Sequence, residues 1–432
     1  MKSERPSSYQ EAAELLRSAA ADGRALRFRG GGTKLGWGRP VPEPDLEVCT
    51  GGLDGVLEHN AGDFTAVLQA GVPLAVAQAT FAEAGQMLAL DPPLSPWGGA
   101  GDDVAIEAAD AGATIGGIVA TNDSGPLRHK YGGVRDLVVG ITVVLSDGTI
   151  ARAGGKVIKN VAGYDIGKLF AGAFGTLGLI AEVTVRLHPR SARTATVVAR
   201  SADPAQLAAA AAALAQAPLE ADSLDLWWDA GSAAGAVLTR FGSADPGPRA
   251  EEAVGLVEKV GGLEITIDTE DVSCWDAQRA AQRGDVVVKV SAVPSALPTL
   301  IAATEEFDGT LVARAGLGLA WIQLPAAPAA LDRDGYGQAG PSGAPEGVTP
   351  RGVAPTSSAP MASGADGVVA AVEELRRRLA PAPCVLLDAP GHVRAALDPW
   401  GGETGPVGLM RKVKERFDPA GVCAPGLFVG GI

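Results

Sequence analysis

Apolar residues recur along the first 190 residues at the spacings of short helices and strands. The positions of Ala12, Leu15, Leu16 and Ala19 predict an amphipathic helix over residues 8–22. A second amphipathic helix is predicted at residues 73–83, and Gly85 would end it. The remaining apolar stretches predict strands at residues 25–29, 45–50, 65–70, 138–145 and 180–187.

The second half of the chain alternates strands with helices, which predicts a separate compact α+β domain. Strands are predicted at residues 195–200, 263–268, 286–290 and 310–315, and helices at 204–217, 250–260 and 297–307. Residues 326–364 are rich in Pro, Gly, Ala and Ser, and have too few large apolar side chains to form a core. A disordered insertion is therefore predicted there. Beyond it, the pattern predicts a helix at 368–379, a strand at 384–387 and a helix at 407–417.

Glycines between residues 112 and 180 alternate with β-branched and aliphatic residues. The sequence is Gly-Ala-Thr-Ile-Gly-Gly-Ile-Val-Ala-Thr-Asn-Asp-Ser-Gly at 112–125 and Gly-Ala-Phe-Gly-Thr-Leu-Gly-Leu-Ile at 172–180. Glycine allows positive φ angles and lets the backbone come close to another group. A long run of such backbone predicts a large, flat, polyanionic ligand, which points to a dinucleotide.

Charge and cysteine content exclude several classes of function. The net charge of -14 and the absence of a basic cluster exclude a nucleic-acid-binding protein. The four cysteines are far apart and form no Cys-x-x-Cys pair, so reduced thiols are expected, with no iron–sulfur cluster and no metal site. The sequence also has no apolar window of about 18 residues. We expect a cytoplasmic protein without a membrane span.

Two stretches of small residues predict a pyrophosphate site. The first, Arg29 to Lys34, follows a predicted strand, so that its backbone N–H groups could form an anion-binding concavity. The second, Thr114 to Gly117, lies about 80 residues further on and is followed by Asn122 and Gly125. Asn122 is expected to contact the ligand, because a polar side chain inside an apolar run needs a partner.

These motifs resemble the FAD-binding domain of the vanillyl-alcohol oxidase superfamily, also called the p-cresol methylhydroxylase type. Tyr-Gly-Gly-Val-Arg-Asp at 131–136, Asp-Gly at 147–148 and Asp-Pro-Pro at 91–93 occur in the same order as in that family. The resemblance covers about residues 8–190. It implies an α+β fold with a two-subdomain FAD-binding domain and a smaller ferredoxin-like cap domain. FAD rather than NAD is implied, because the partner loop is not a Rossmann turn.

The motif at 155–169 is similar to the glycolate oxidase, or glycolate dehydrogenase, group within that superfamily. Phe-Asp-Pro-Ala-Gly at 417–421 and Pro-Gly-Leu-Phe at 425–428 also fit, and Arg-Ala-Gly-Leu-Gly-Leu-Ala-Trp at 314–321 resembles the smaller FAD-binding subunit. The implied domains are an FAD-binding domain at 1–190, a cap domain at 191–325 and 365–400, the insertion at 326–364, and a segment at 401–432 that packs back on the FAD-binding domain.

The resemblance also implies which residues bind FAD. The pyrophosphate would lie on Gly30–Thr33 and the turn at 114–117, and a glutamate at Gly116 would then occupy its space. Asn122 and Gly125 would lie near the ribityl chain or the ring, and Gly175, Gly178 and Ile180 near the adenine, although a tight strand entry would also explain the two glycines. The full set of implied cofactor-binding residues is Arg29, Gly30, Gly31, Gly32, Thr33, Lys34, Asp91, Pro92, Thr114, Gly116, Gly117, Asn122, Gly125, Gly175, Gly178 and Ile180.

The sequence also departs from that family at two kinds of position. Relatives with covalent FAD often have a histidine or cysteine beside the phosphate loop, whereas this chain has Thr33 and Lys34, so non-covalent FAD is expected. Catalytic relatives oxidise 2-hydroxy acids with a His-x-His-type pair, which is absent here. Where the larger subunit would show a histidine before Ala-Gly-x-Gly, this chain has Arg314, and an arginine cannot act as a base. No catalytic residue is assigned.

Three functions therefore stay open from the sequence. The first is an FAD-binding accessory subunit of glycolate dehydrogenase, working with a larger catalytic FAD subunit and an iron–sulfur subunit. The second is a self-sufficient FAD-dependent 2-hydroxy-acid dehydrogenase of the D-lactate type. The third is a structural scaffold that binds a non-redox flavin. Association with a membrane is expected only through partner subunits.

Overall fold

The computed structural model describes residues 2–94, 112–156, 165–325, 365–402 and 405–432. The predicted insertion at 326–364 lies outside the described residues, as do residues 157–164 of the motif at 155–169. None of the described helices is both long and apolar enough to cross a membrane.

The strands follow one another along the whole chain. They are β1 (Lys2–Glu4), β2 (Leu26–Arg29), β3 (Leu46–Cys49), β4 (Val56–Asn60), β5 (Thr65–Gln69), β6 (Gln86–Met87), β7 (Val138–Val144), β8 (Ile150–Gly154), β9 (Leu179–Arg186), β10 (His188–Pro189), β11 (Arg193–Ser201), β12 (Ser223–Asp229), β13 (Ala234–Ser243), β14 (Glu264–Asp268), β15 (Val287–Ser291), β16 (Thr310–Arg314), β17 (Leu319–Gln323) and β18 (Cys384–Asp388).

The α-helices connect and cover these strands. They are α1 (Tyr9–Ala21), α2 (Leu74–Ala82), α3 (Ile115–Thr121), α4 (Arg128–Tyr131), α5 (Val134–Leu137), α6 (Gly167–Phe170), α7 (Pro204–Gln216), α8 (Gly247–Glu258), α9 (Val272–Ala280), α10 (Leu297–Glu306), α11 (Ala365–Leu379), α12 (Gly391–Ala396) and α13 (Val407–Phe417).

Strands β1 to β5 and β7 to β9 form two sheets, which with their helices constitute the N-terminal domain, and β6 pairs with β10 in a two-stranded sheet. Strands β1, β3 and β2 pair in parallel, and helix α1 packs its buried face, including Leu16, on their core. Strands β4, β5, β9, β7 and β8 form an antiparallel sheet in that order. Helix α3 contacts β9 and β5 of this sheet, so the glycine-rich segment at 112–125 lies where the two sheets meet.

Strands β11 to β18 form one eight-stranded sheet, which with its helices constitutes the cap domain. The strand order is β14-β11-β13-β12-β16-β17-β15-β18. Each half has the connection β-α-β-β-α-β and the spatial order of a ferredoxin-like unit, and the halves join where β12 pairs with β16. The resemblance implied one ferredoxin-like cap; the structure has two such units side by side.

The two faces of the cap sheet have different surroundings. Helices α7, α8, α10 and α11 cover one face, where Val288 and Val290 of β15 join the main hydrophobic core. Because strand side chains alternate, Val287 and Lys289 lie on the other face. There, Val287 packs with Trp321 and with Trp37 of the N-terminal domain. The second face of the cap sheet is thus the one that meets the N-terminal domain.

The last segment of the chain returns to the N-terminal domain. The backbone N–H of Leu26 donates to Val422 O at 2.7 Å, and that of Ala424 donates to Leu26 O at 2.9 Å. Lys414 donates from Nζ to the carbonyls of Thr176 and Cys423, each at 2.7 Å. The residues after helix α13 therefore extend the parallel sheet at β2.

The predicted elements lie within a few residues of the observed ones. Helix α13 has the predicted bounds, whereas α8 begins three residues earlier than predicted, at Gly247. Pro246 and Pro248 explain that earlier start, because proline is favoured at the beginning of a helix, where its missing N–H has no intrahelical partner. Apolar periodicity misses such turns, since they face solvent.

Candidate functional site

A cleft of about 370 Å³ opens beside the end of strand β2. Three parts of the chain meet around it: the loop after β2, helix α3 with the turn at Phe174, and the C-terminal segment. The residues that line it are Ala25–Phe28, Gly30–Leu35, Trp37, Arg39–Pro44, Ala113, Thr114, Gly117, Ala120, Thr121, Phe174, Gly175, Arg394, Ala424, Pro425 and Leu427.

The loop from Gly30 to Lys34 offers unpaired backbone donors to the cleft. Within the described part of the chain, none of its five backbone N–H groups donates to an acceptor. Gly32 has φ +73°, the left-handed conformation that turns successive N–H groups towards one point. Free N–H groups that converge on a cleft form an anion-binding concavity. This loop therefore suits a ligand that accepts hydrogen bonds.

Two glycines of that loop are required by close packing. A Cβ on Gly30 would overlap the Thr114 side chain, and a Cβ on Gly31 would overlap the Gly112 carbonyl. The loop after β2 thus lies directly against the segment that leads into helix α3. The two stretches of small residues that the sequence analysis paired are neighbours in the structure.

Helix α3 lines the cleft with only one of its faces. Thr114, Gly117 and Thr121 line it, as the spacing of 3.6 residues per turn requires. Gly116 points the opposite way: a Cβ there would lie 2.6 Å from Ala70 Cβ and 2.9 Å from Ala70 O. The interpretation that a side chain at Gly116 would occupy the pyrophosphate's space is therefore wrong, because Ala70 fills that direction.

The backbone donors at the start of α3 are also used within the protein. Ile115 N–H donates to Val72 O at 2.9 Å, and Gly116 N–H donates to Ala70 O at 2.8 Å. Gly117 N–H makes a long bond of 3.4 Å to Thr114 Oγ1. The turn at 114–117 therefore forms part of the wall of the cleft, whereas the free N–H donors come mainly from Gly30–Lys34.

A buried ion pair closes the inner end of the loop. Lys34 Nζ lies 3.2 Å from Asp123 Oδ2, and both side chains are almost completely buried. Burial lowers the pKa of Lys34, and the Asp123 carboxylate opposes that shift. Lys34 Nζ also lies 3.4 Å from Pro93 O. The pair joins the loop after β2 to the residues after α3.

A second buried network joins the same loop to the cap domain. Arg283 donates from Nε and Nη2 to the two oxygens of Asp388, at 2.7 and 3.1 Å, and from Nη1 to Thr33 O at 3.3 Å. Trp37 Nε1 donates to Asp388 Oδ1 at 2.8 Å, and the Arg283 guanidinium lies 5.4 Å from the Trp37 ring. Sequence reasoning missed this network, because its members are separated by up to 351 residues.

Half of the sequence-predicted site residues line the cleft. These are Gly30, Gly31, Gly32, Thr33, Lys34, Thr114, Gly117 and Gly175. Arg29 instead pairs with Glu47 at 3.2 Å, and Ile180 is a buried core residue of β9. Gly178 has φ +139° where β9 begins, and a Cβ there would lie 2.7 Å from Val144 O. A tight strand entry explains Gly178.

Asp91, Pro92 and Gly125 lie at the contact between the N-terminal domain and the cap domain. A Cβ on Gly125 would overlap the Asp91 carbonyl, so this glycine allows the two loops to touch. Asp91 Oδ2 lies 3.4 Å from Arg279 Nη1 of helix α9, and Pro92 is buried beside it. Burial raises the pKa of Asp91 to about 6, and the Arg279 charge opposes this shift.

Asn122 has a buried acceptor without a protein partner. Its Oδ1 is inaccessible to water and receives no hydrogen bond from any described residue. The residue ends helix α3 with φ +51°, which directs its side chain towards Gly133 and Gly172. A buried carbonyl oxygen of this kind needs a donor. The expectation that Asn122 contacts a ligand is compatible with this geometry and stays a prediction.

The cleft also contains residues that the sequence analysis did not assign to it. Phe174 lies between Trp400 and Phe428, with ring centroids at 5.1 and 5.8 Å, and so brings the C-terminal segment to the cleft. Arg394 donates from Nη2 to Gly38 O at 2.7 Å. Leu427 belongs to the family motif Pro-Gly-Leu-Phe at 425–428. That motif is the sequence signal that could have assigned Leu427 to the cleft.

Arg314 is fully buried within a polar cluster of the cap domain. Its Nη1 lies 2.5 Å from Asp225 Oδ2, its Nη2 bonds Gln282 Oε1, and its guanidinium lies 4.8 Å from the Trp321 ring. Gln282 in turn donates to Ser124 O of the N-terminal domain at 2.9 Å. Burial raises the pKa of Asp225 to about 7, and the Arg314 charge opposes this shift. Arg314 is thus held by protein groups.

The fold and the cleft together define a flavoprotein. Residues 4–102 and 103–154 match the family model of the FAD binding domain. The structure is similar to that of alkyldihydroxyacetonephosphate synthase, with a TM-score of 0.64 at 15% identity over 98% of this chain and 76% of that one. The expected fold class, α+β with a p-cresol methylhydroxylase-type FAD-binding domain, is confirmed. FAD is the cofactor.

The chain is also similar to proteins described as FAD-linked oxidoreductases. An uncharacterized FAD-linked oxidoreductase of Mycobacterium tuberculosis is 28% identical over 446 residues, which cover 99% of this chain and 90% of that protein. Glycolate oxidase subunit GlcE of Escherichia coli is 34% identical over 178 residues, 41% of this chain and 46% of the subunit.

The residues of the cleft fit FAD. The unpaired N–H groups of Gly30–Lys34 suit a pyrophosphate. The face of α3 that lines the cleft has only small side chains, so a large planar molecule can lie against it. When bound, FAD would supply the redox chemistry, and the loop at Gly30–Lys34 and the cleft face of α3 would hold and orient it.

Proposed function

We propose that this chain is the FAD-binding accessory subunit of a glycolate dehydrogenase complex. It supports the oxidation of glycolate to glyoxylate and passes electrons to an iron–sulfur partner subunit. A larger FAD-binding subunit contains the catalytic site. The similarity to glycolate oxidase subunit GlcE supports this assignment over the matched part of the chain.

The observation that carries the proposal is that Arg314 is held in a buried ion pair with Asp225. This residue stands where the resemblance implies a histidine before Ala-Gly-x-Gly in the larger subunit. Its guanidinium is paired with Asp225, bonded to Gln282 and stacked near Trp321, so it is a buried structural cation. It can neither accept a proton nor turn to a substrate without leaving Asp225 unpaired in the interior. The position of that histidine is therefore occupied by a buried ion pair.

Three of the four histidines are held in packing contacts, and the fourth, His392, is exposed on helix α12. Burial lowers the pKa of His129, whose ring packs against Gly316, with its Cε1 2.8 Å from where a Cβ of that glycine would lie. His59 bonds Gln86 at 3.0 Å, and His188 stacks with Tyr131 at 4.7 Å. Each of these three rings lies in its own packing environment, away from the cleft.

The proposal is tested on the purified chain with its flavin. Glycolate or D-lactate, added without air, should not reduce the flavin, whereas dithionite should reduce it fully. Adding the larger subunit should make reduction by glycolate possible. Rapid flavin reduction by glycolate with this chain alone would refute the accessory role and favour the self-sufficient dehydrogenase. FAD should be released by denaturation, as non-covalent binding requires.

A further inference from the structure

Arg283 is a buried arginine of the cap domain that contacts the backbone of the loop after β2. Its Nη1 donates to Thr33 O at 3.3 Å, whereas Nε and Nη2 donate to the two oxygens of Asp388, at 2.7 and 3.1 Å. The side chains of Arg283 and Asp388 are each only 8% exposed. One edge of the planar guanidinium thus binds a carboxylate of the cap domain, and Nη1 binds a backbone carbonyl of the N-terminal domain.

The groups around the guanidinium hold it in a fixed position. Gln323 Nε2 donates to Arg283 O at 3.0 Å, so the backbone of Arg283 is bonded to strand β17. Trp37 Nε1 donates to Asp388 Oδ1 at 2.8 Å, and the Trp37 ring lies 5.4 Å from the guanidinium. Because the backbone and the counter-ion of Arg283 are both held, the arginine determines where the Thr33 carbonyl lies.

The position of the Thr33 carbonyl fixes the direction of the next backbone N–H. In a planar trans peptide unit, the C=O and the N–H that follows it point in opposite directions. Since Thr33 O is bonded to Arg283, the Lys34 N–H points away from Arg283. This N–H has no acceptor among the described residues, and Thr33 and Lys34 both line the cleft. It is therefore free to donate to a ligand.

We propose that Arg283 is a positioning residue for the FAD pyrophosphate and acts through the peptide unit between Thr33 and Lys34. The arginine does not touch the cofactor; it directs the Lys34 N–H at the phosphate oxygens. A carbonyl that accepts from a cation also polarises its own peptide unit, which makes the N–H a stronger donor. Because Arg283 belongs to the cap domain, FAD binding and the contact between the two domains stabilise each other.

The test compares FAD with riboflavin, which has the same ring system but no phosphate. The apoprotein is titrated with each flavin, and binding is followed by the change in flavin fluorescence. R283M should raise the dissociation constant of FAD roughly 10- to 100-fold, which corresponds to one hydrogen bond to a charged group. It should leave the dissociation constant of riboflavin unchanged. R240M is the matched control, because Arg240 pairs with the buried Asp271 elsewhere in the cap domain, and it should change neither constant.

A second variant, R283K, keeps the test decisive if R283M does not fold. Its ammonium can still pair with Asp388, but a single nitrogen held by that carboxylate leaves Thr33 O without its donor. R283K should therefore fold and still lose affinity for FAD but not for riboflavin. In R283K saturated with FAD, phosphorus NMR should show the pyrophosphate resonances displaced from their wild-type positions.

Two results would overturn the proposal. An equal loss of affinity for FAD and riboflavin would show that Arg283 only supports the fold. FAD affinity or pyrophosphate resonances that stay at their wild-type values in a folded variant would show that Arg283 does not act on the loop. None of these measurements involves glycolate, so they do not depend on whether the chain is an accessory subunit.

Discussion

Gly117 offers a direct test of where the cofactor lies. It is on the cleft face of helix α3, and a Cβ there would meet only Thr114 Oγ1, at 3.3 Å. In G117L the side chain should therefore extend into the cleft while the helix stays intact. Leucine is a better helix former than glycine by roughly 0.5–1 kcal/mol, so the apoprotein should be as stable as wild type.

The loss of FAD affinity follows from the donors that the new side chain would block. If leucine keeps the pyrophosphate away from two of the N–H groups between Gly30 and Lys34, the loss is about 3–6 kcal/mol, at about 1.5–3 kcal/mol for each bond to a charged group. This corresponds to a dissociation constant that is roughly 10²- to 10⁴-fold higher.

The affinity is measured by titrating the apoprotein with FAD and following the quenching of flavin fluorescence. G255L is the matched control, because Gly255 is a helical glycine of α8 whose Cβ would meet nothing within 4 Å. It should bind FAD as wild type does. G116A should instead lower the free energy of unfolding, since its Cβ would meet Ala70. Undiminished FAD binding by a folded G117L would refute the placement of the cofactor against α3.

Three further predictions concern the buried charges. R283M should lower the free energy of unfolding by about 3–5 kcal/mol, because it leaves the buried Asp388 without its cation. Urea denaturation measures this loss, and a much smaller value would contradict the prediction. K414M should raise the rate of amide hydrogen exchange in the C-terminal segment. The Lys414 ammonium donates to the Thr176 and Cys423 carbonyls and to the Asp418 carboxylate, and all three would lose this donor. D91N should remove the pH dependence that the Asp91 carboxyl gives to the free energy of unfolding. The folded pKa of Asp91 is raised to about 6, so its contribution to stability is present below the unfolded pKa near 4 and is lost as the pH rises to 6. Wild type should therefore lose at most about 3 kcal/mol relative to D91N over that range, and parallel pH profiles would contradict this.

Local patterns in the sequence predicted many of the elements and the core of the cleft, but not strands β12, β13 and β17 of the cap sheet. Apolar periodicity located helices and strands because each buries one face, and the glycines of the loop after β2 marked its close approach to Thr114 and Gly112. The motif order then supplied the fold class. Both kinds of signal lie within short stretches of chain, where a single sequence is most informative.

The parts that were missed depend on helix phase and on distant contacts. Gly116 and Gly117 are adjacent, yet they face different sides of α3, because consecutive helical residues are about 100° apart. Only the start of the helix after Thr114 decides which one lines the cleft. Arg283, Asp388 and Trp37 assemble only after the cap domain folds onto the N-terminal domain. No local pattern distinguishes such residues from other polar or aromatic positions.

The wall of the cleft has a consequence for biosynthesis. Its loop of unpaired donors is made early, within the first 34 residues, but Arg394 and Leu427 complete the wall near the other end of the chain. While a ribosome translates the 360 or so residues between them, the nascent protein displays an unfinished cofactor site. Capture of FAD is therefore expected to be a late, post-translational event. Chains that terminate prematurely should be released as colourless apoproteins, even when the whole FAD-binding domain has been synthesised.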